Sequence, residues 1–199
     1  MDRQGADEHR RRLMDGLSGR VVEVGAGEGG NFAHYPAEVS EVVAVEPEPY
    51  LRAKASSRAQ DVTVSVRVVD GSAERLPVED RSADAVVASL VLCSVTDQQR
   101  ALSEACRVLR PGGELRFYEH VAAPGGSRLA RVQRVADLTL WPLLMGGCHV
   151  GRDTATAIAT AGFDIEEIDR FDFPPDQPSP ASPHILGRAV RVANEGGMP

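Results

Sequence analysis

The chain is built from short apolar runs separated by stretches whose apolar positions recur at helical spacing. Residues 20–24 (Arg20-Val21-Val22-Glu23-Val24) and 42–45 (Val42-Val43-Ala44-Val45) are nearly continuous apolar runs. They predict strands covered on both faces. Residues 62–68 alternate, with Val62, Val64, Val66 and Val68 set against Thr63, Ser65 and Arg67, and this period of two predicts a third strand. Residues 85–92 predict a fourth strand and the chain leaving it. Residues 114–121, 163–173 and 184–192 predict the fifth, sixth and seventh.

Between the strands the spacing becomes helical. Leu13, Met14 and Leu17 in the charged stretch 6–17 predict a leading helix, and residues 49–60 a helix with Pro49 at its start. Thr96 is placed to cap a helix whose apolar face carries Leu102, Ala105, Cys106 and Leu109. Pro111-Gly112-Gly113 is expected to stop it. Leu129, Val132, Val135, Ala136 and Leu140 give a helical pattern inside residues 124–150, and residues 154–160 an alanine-rich helix ended by Gly162. Residues 174–183 hold five prolines and predict a loop, and residues 193–199 a flexible tail. Strands alternating with helices imply an α/β fold, a seven-stranded, mostly parallel sheet with helices on both faces. The sixth and seventh strands are joined without a helix, so the last strand is expected to run antiparallel.

The 199 residues, 42% hydrophobic and 26% charged, suit a single domain covering 1–199 with an ordinary core. The net charge of −7 argues against a phosphate-tracking surface, and so against nucleic acid as partner. Lys54 is the one lysine among 22 basic residues, a skew that reflects a GC-rich, bacterial-type coding genome. Arg10-Arg11-Arg12 reads as the solvated face of the first helix. The cysteines, Cys93, Cys106 and Cys148, are odd in number and form no CxxC. Neither a disulfide framework nor a metal site is expected, and the compartment is expected to be reducing and cytoplasmic. Met1-Asp2-Arg3-Gln4-Gly5 lacks a signal-peptide stretch. The longest apolar run, residues 138–147, is broken by Pro142 and is too short to cross a membrane.

The most informative motif follows the first strand. Gly25, Gly27 and Gly30 satisfy GxGxxG, and Glu46 ends the second strand 21 residues after Gly25. Glycines let the backbone approach a ligand, and a carboxylate at that distance can accept hydrogen bonds from both hydroxyls of a ribose. A nicotinamide dinucleotide and S-adenosylmethionine (SAM) both place an adenosine there. Three features favour SAM. Glu23, two residues before Gly25, would repel a pyrophosphate but attract the cationic amino-acid end of SAM. The turn Asp70-Gly71-Ser72-Ala73-Glu74-Arg75-Leu76-Pro77 follows the third strand and offers backbone amides to an adenine edge. The terminal strand pair is foreign to the nicotinamide-binding fold.

Val21-Val22-Glu23-Val24-Gly25-Ala26-Gly27-Glu28-Gly29, Val45-Glu46-Pro47, Gly71-Ser72-Ala73-Glu74-Arg75-Leu76-Pro77 and Val108-Leu109-Arg110-Pro111-Gly112-Gly113 resemble the class I SAM-dependent methyltransferases, in family order. Shorter pieces resemble the methyltransferase-like proteins that methylate alkyl thiols: Leu90-Val91-Leu92-Cys93-Ser94-Val95, Glu119-His120-Val121-Ala122-Ala123, Gly147-Cys148 and Pro183-His184-Ile185. The resemblance implies a Rossmann-like fold and SAM as cofactor. Glu23, Gly25, Ala26, Gly27 and Glu28 would surround its methionine part, and Glu46 would hold the ribose beside Pro47. Gly71, Ser72 and Ala73 would meet the adenine, and Ser89 and Leu90 would close over the sulfonium. Many relatives carry Asp where Ser72 stands, which weakens the expected contact to the adenine amino group.

Methyl transfer from a sulfonium needs a close, aligned nucleophile, and a thiol or hydroxyl acceptor must also lose its proton. His120, at the end of the fifth strand, is the expected base, with Glu119 as orienter or competing base. Cys93, Trp141, His149 and His184 are expected around the acceptor. Residues 124–150, with Trp141-Pro142-Leu143-Leu144-Met145, form an expected lid or substrate insertion, and 174–183 a second wall. The function expected is SAM-dependent methylation of sulfur or oxygen on a small, apolar acceptor, by a monomer or homodimer. A non-catalytic SAM-binding protein and an NAD(P)-dependent oxidoreductase are the alternatives.

Overall fold

The computed structural model describes residues 3–175 and 179–192; the expected tail at 193–199 lies outside the described residues. The apolar runs become seven strands: β1 (Gly19–Val24), β2 (Val39–Val45), β3 (Val66–Val69), β4 (Ala83–Ser89), β5 (Leu109–His120), β6 (Phe163–Asp172) and β7 (Pro183–Arg191). They form one sheet in the order β3-β2-β1-β4-β5-β7-β6. β1, β2, β3, β4 and β5 pair in parallel, and β7 runs antiparallel to both β5 and β6. The expected topology therefore holds, with β7 inserted between β5 and β6.

The strand period of two sends alternate residues to opposite faces. Val22, Val43, Val86, Leu115 and Phe117 join a core under α3 (Gln98–Val108) and α6 (Thr154–Thr160). Val21, Val42, Ala85 and Val87 join a second core with Leu13, Met14 and Leu17, at and just beyond the end of α1 (Arg3–Met14), and with Ala55 of α2 (Pro49–Arg58). Helices thus cover both faces. The connections at 25–38 and 70–82 cross without an α-helix, the first holding only a short turn of 3-10 helix at Phe32–His34. This leaves the carboxyl ends of β1, β2 and β4 open.

Two helix boundaries differ from those expected. Asp97, rather than Thr96, caps α3, because its charged carboxylate accepts the Arg100 N–H at the positive end of the helix. Pro111-Gly112-Gly113 does not stop that helix. Leu109 is already extended, and the three residues lie inside β5, where the pairing with β4 slips between Ala83 and Ala85. The third strand is also shorter than the alternation at 62–68 suggests, since β2 offers pairing partners only from Val66 onward.

The insertion forms α4 (Arg128–Asp137) and α5 (Trp141–Leu144). Ser127 caps α4. Its buried Gln133 accepts the Ala123 N–H and donates to the carbonyls of Val121 and Pro180, which ties the insertion to the exit of β5 and to the proline loop. Trp141 and Ala136 pack on a small core of Cys93, Cys148 and Val150. Leu138, Leu143, Leu144 and Met145 are exposed instead of packing beneath the insertion.

Candidate active site

The glycine turn takes its shape from close packing. Gly25 and Gly27 both have positive φ, 64° and 55°. A Cβ on Gly25 would lie 2.5 Å from Val91 Cγ2, whereas one on Gly27 would meet nothing within 4 Å, so Gly27 faces open space. Glu46 ties the turn down: its Oε2 accepts the Gly27 N–H at 2.7 Å and its Oε1 the Glu48 N–H at 2.9 Å.

Two connected cavities lie over this turn and share Gly25, Gly27 and Leu90. One, of about 500 Å³, is lined by Glu46, Pro47, Leu51, Ser72 and Ala73. The other, of about 380 Å³, is lined by Ala26, Glu28, Asn31, Arg10 and Ser89. Together they form a trough across the carboxyl ends of the parallel strands, where open α/β sheets bind ligands. A larger concavity, about 730 Å³, lies outside the 70–79 turn. Its lining includes Arg107 already paired with Glu104 and Asp80, which marks a solvated groove.

Most of the expected cofactor residues therefore meet in one trough, and two do not line it. Gly71 lies in the outer groove, and its missing Cβ makes room for Pro77 and Val45. Glu23 lies beneath the trough wall. Its Oε1 accepts from Asn31 Nδ2 at 2.8 Å and its Oε2 from the Tyr35 hydroxyl at 2.9 Å, and burial raises its pKa to about 7. Glu28 pairs with Lys54 at 2.8 Å and with Arg58 at 3.3 Å, and the Lys54 ammonium holds its carboxyl below the usual range.

The sequence reading missed Asn31 and Arg10. Asn31 presents a buried Oδ1 with no partner among the described residues. The Arg10 guanidinium lies 3.3 Å from where a Gly30 Cβ would stand, so it reaches the turn only because residue 30 is glycine. A free acceptor and a cation at one end of the trough, with carboxylate Glu46 at the other, fit the ammonium, carboxylate and ribose of SAM. Open space at Gly27 lets the ligand lie against the backbone.

The chain leaving β4 is held with unusual density. Leu90 has φ 57°, a strained setting for a non-glycine residue, and its N–H donates to the Tyr118 carbonyl at 2.7 Å. Glu119 is fully buried below it. One carboxylate oxygen accepts the N–H groups of Val91 and Leu92, the other that of Cys93. Burial pushes the Glu119 pKa well up, and the three donors oppose that shift. Gln98 and Arg152 both donate to the Leu92 carbonyl.

His120, half-buried, turns its Nδ1 toward Cys93 Sγ at 3.6 Å and Cys148 Sγ at 3.5 Å. A hydrogen bond donated to Cys148 and burial push the Cys93 thiol up to about 12. The His184 ring lies 4.5 Å from that of His120, and its Nδ1 meets the Ser182 carbonyl at 2.7 Å. Burial lowers its pKa to about 4, so it is neutral. His184 lines a third cavity, about 620 Å³, with Val121, Ala122, Leu129 and Phe171. The His149 N–H donates to the Cys93 carbonyl at 2.8 Å. His9, which lies in the charged stretch 6–17, packs among Tyr118, Phe171 and Phe173.

A family model described as "Methyltransferase domain" matches residues 22–117. Thiol S-methyltransferase TMT1B of Mus musculus is 38% identical over 183 residues, covering 89% of this chain and 74% of its own. TMT1A of Homo sapiens is 37% identical over 181, covering 88% and 73%. Among solved structures, geranyl diphosphate methyltransferase in complex with SAM superposes with a TM-score of 0.72 at 15% identity, covering 94% of this chain and 85% of that one. The cyclase SpnF gives 0.74 at 19%, covering 96% and 82%. The two structures share the fold while their names describe different reactions, so the fold alone does not define the chemistry. With the fold, the trough and the sequence relatives together, the chain is a class I SAM-dependent methyltransferase. It belongs to the same family as the thiol S-methyltransferases TMT1A and TMT1B.

Proposed function

We propose that this enzyme transfers the methyl group of SAM to the sulfur of a small, apolar thiol. One observation carries the reading. The four short pieces in which the sequence resembles alkyl-thiol methyltransferases lie far apart in the chain, yet Cys93, His120, Cys148 and His184 come together beside the trough. Bound SAM supplies a methyl group already activated by its sulfonium. The protein's work is then to hold and align two partners. Asn31 and Arg10 are assigned to the amino-acid end, Glu46 to the ribose, Ser72 and Ala73 to the adenine edge, and the strained Leu90 with Ser89 to the wall nearest the sulfonium. Glu23 supports that end through Asn31, and Glu28 lines it.

His120 is assigned to the acceptor, whose proton it helps remove. Glu119 serves as the positioning residue, because both of its oxygens are committed to the 91–93 backbone. Cys93, Trp141, His149 and His184 form or support the acceptor wall, under a lid made by the 124–150 insertion. The cysteines are free among the described residues, which agrees with a reducing, cytoplasmic setting, and one chain supplies the whole site, as monomer or homodimer. Among the described residues no helix is long and apolar enough to cross a membrane. A methyl-transfer screen of small thiols, phenols, amines and quinone-like compounds tests the reading. Turnover is expected with apolar thiols, and to a lesser degree with phenols. Turnover confined to amines would overturn it.

A further inference from the structure

We propose that Cys93, His120 and Cys148 bind one zinc ion, with a fourth coordination position open to a thiol. The ion site stands on geometry alone; only the identity of the fourth ligand rests on the thiol reading above. The three ligand atoms, two Sγ and one Nδ1, all lie within 4.8 Å of one another. Zinc bound tetrahedrally at about 2.3 Å to sulfur and about 2.0–2.1 Å to nitrogen puts those nitrogen and sulfur atoms about 3.5 Å apart. The distances here are 3.6 and 3.5 Å. The donors, thiolate and imidazole, select zinc over the oxygen-loving magnesium and calcium.

Without an ion, only weak sulfur hydrogen bonds join the three groups. A single ring nitrogen can make one good hydrogen bond, as donor or as acceptor, yet Nδ1 addresses both sulfurs at nearly equal distance. A shared cation at the centre satisfies all three. The ligands are also fixed in advance. Cys93 is held through its N–H by Glu119 at 3.1 Å and through its carbonyl by the His149 N–H, and the His120 ring is braced by His184. Sequence spacing conceals the site because the ligands come from three separate segments, 27 and 28 residues apart.

Among the described residues the cluster offers three ligand atoms, the arrangement of a catalytic site that keeps one position for water or substrate. Cys93 stands next in the chain to Ser94 of the cofactor trough, Cys148 two residues after Gly146 of the same trough, and His120 next to Val121 of the 620 Å³ cavity. With the ion bound, His120 serves as a ligand and the ion takes over the activation assigned to His120 as base: an alkyl thiol entering there loses its S–H bond, gains a zinc–sulfur bond and gives its proton to solvent. The bound thiolate is the nucleophile. As its new S–CH3 bond forms, the sulfonium S–CH3 bond of SAM breaks, and the electron pair stays on the donor sulfur, which leaves as S-adenosylhomocysteine.

Titration of the reduced, full-length protein with Co2+, followed by displacement with Zn2+, tests the site without any turnover. One equivalent of Co2+ is expected, with sulfur-to-cobalt charge-transfer bands and visible bands of four-coordinate geometry. An alkyl thiol should shift those bands. Cys93→Ser and Cys148→Ser should each weaken binding by roughly tenfold or more and reduce the charge-transfer intensity. SAM calorimetry on each variant reports that the fold and cofactor trough survive, and it tests the methyltransferase reading separately. Absence of a stoichiometric cobalt–thiolate spectrum, or an unchanged spectrum in the double Cys variant that still binds SAM, would overturn the proposal. Bands that appear but do not respond to alkyl thiol would overturn the open position.

Discussion

Glu23 shows how one residue can serve the site without touching the ligand. It sits under the glycine turn, and its two hydrogen bonds hold Asn31 and Tyr35 in place. Burial raises its pKa from 4.5 to about 7. In the unfolded chain it ionises near 4.5, so between about pH 4.5 and 7 the folded state holds the extra proton. Stability contributed by this group therefore falls as pH rises through that window, by roughly 3 kcal/mol once pH exceeds 7. Glu23→Gln keeps a partner for Asn31 and for the Tyr35 hydroxyl, which can donate or accept. Thermal melts from pH 5 to 8 should show the wild type losing stability relative to the variant. Parallel curves would contradict the burial argument. The place of Glu46 in the trough was legible in the sequence because it ends the second strand at the spacing expected of a ribose-binding carboxylate. Arg10 and Asn31 were not, since an arginine in a charged helix and an asparagine in a turn carry no periodic signal. The packing of His9 was not legible either: its aromatic neighbours are more than a hundred residues away in the chain.

Among the elements, α4 depends on one side chain. Gln133 fills three hydrogen-bonding positions that join the insertion to β5 and to the proline loop. Gln133→Ala leaves the buried Ala123 N–H and Val121 carbonyl without that partner and frees the part-buried Pro180 carbonyl, at a cost of about 1–3 kcal/mol. Faster amide exchange is expected at residues 121–124 and along α4, with β1 and β2 unchanged; uniform protection in the variant would show that the insertion is held by other contacts. β7 has its own requirement. A Cβ on Gly187 would stand 2.7 Å from the Phe117 ring and closer still to the Glu167 carbonyl, at the irregular pairing of β6. Gly187→Ala should destabilise the whole domain by about 1–3 kcal/mol, read as a lowered denaturant midpoint. Strand existence and direction followed from apolar runs and connection lengths, whereas the order across the sheet, with β7 between β5 and β6, did not. The cap of α3 and the start of β5 did not, because Thr96 and Asp97 are both good caps and Pro111-Gly112-Gly113 suits either a stop or a bulged strand. The outward leucines of the insertion share their spacing with buried ones, and periodicity cannot tell which face is covered.

At the scale of the molecule, one sheet runs through most of the described chain, so the trough and the proposed acceptor site share the same strand ends. The trough is set by β1, β2 and β4, whose apolar runs and spacing are plain in the sequence. The proposed acceptor side draws on residues 90–96, the end of β5 and the insertion, which only three-dimensional folding brings together. Binding of SAM at one hundred times its Kd should raise stability by about 2.7 kcal/mol, and NAD should not. The most direct test of the whole account follows a labelled methyl group. The enzyme is given SAM carrying a deuterated methyl and an apolar alkyl thiol, and the product is read by mass spectrometry for wild type and His120→Ala. The account predicts a thioether with the label on sulfur, formed by the wild type and strongly reduced in the variant, while calorimetry shows SAM binding largely retained. Label found only on nitrogen, or no labelled product from a wild-type protein that binds SAM, would contradict it.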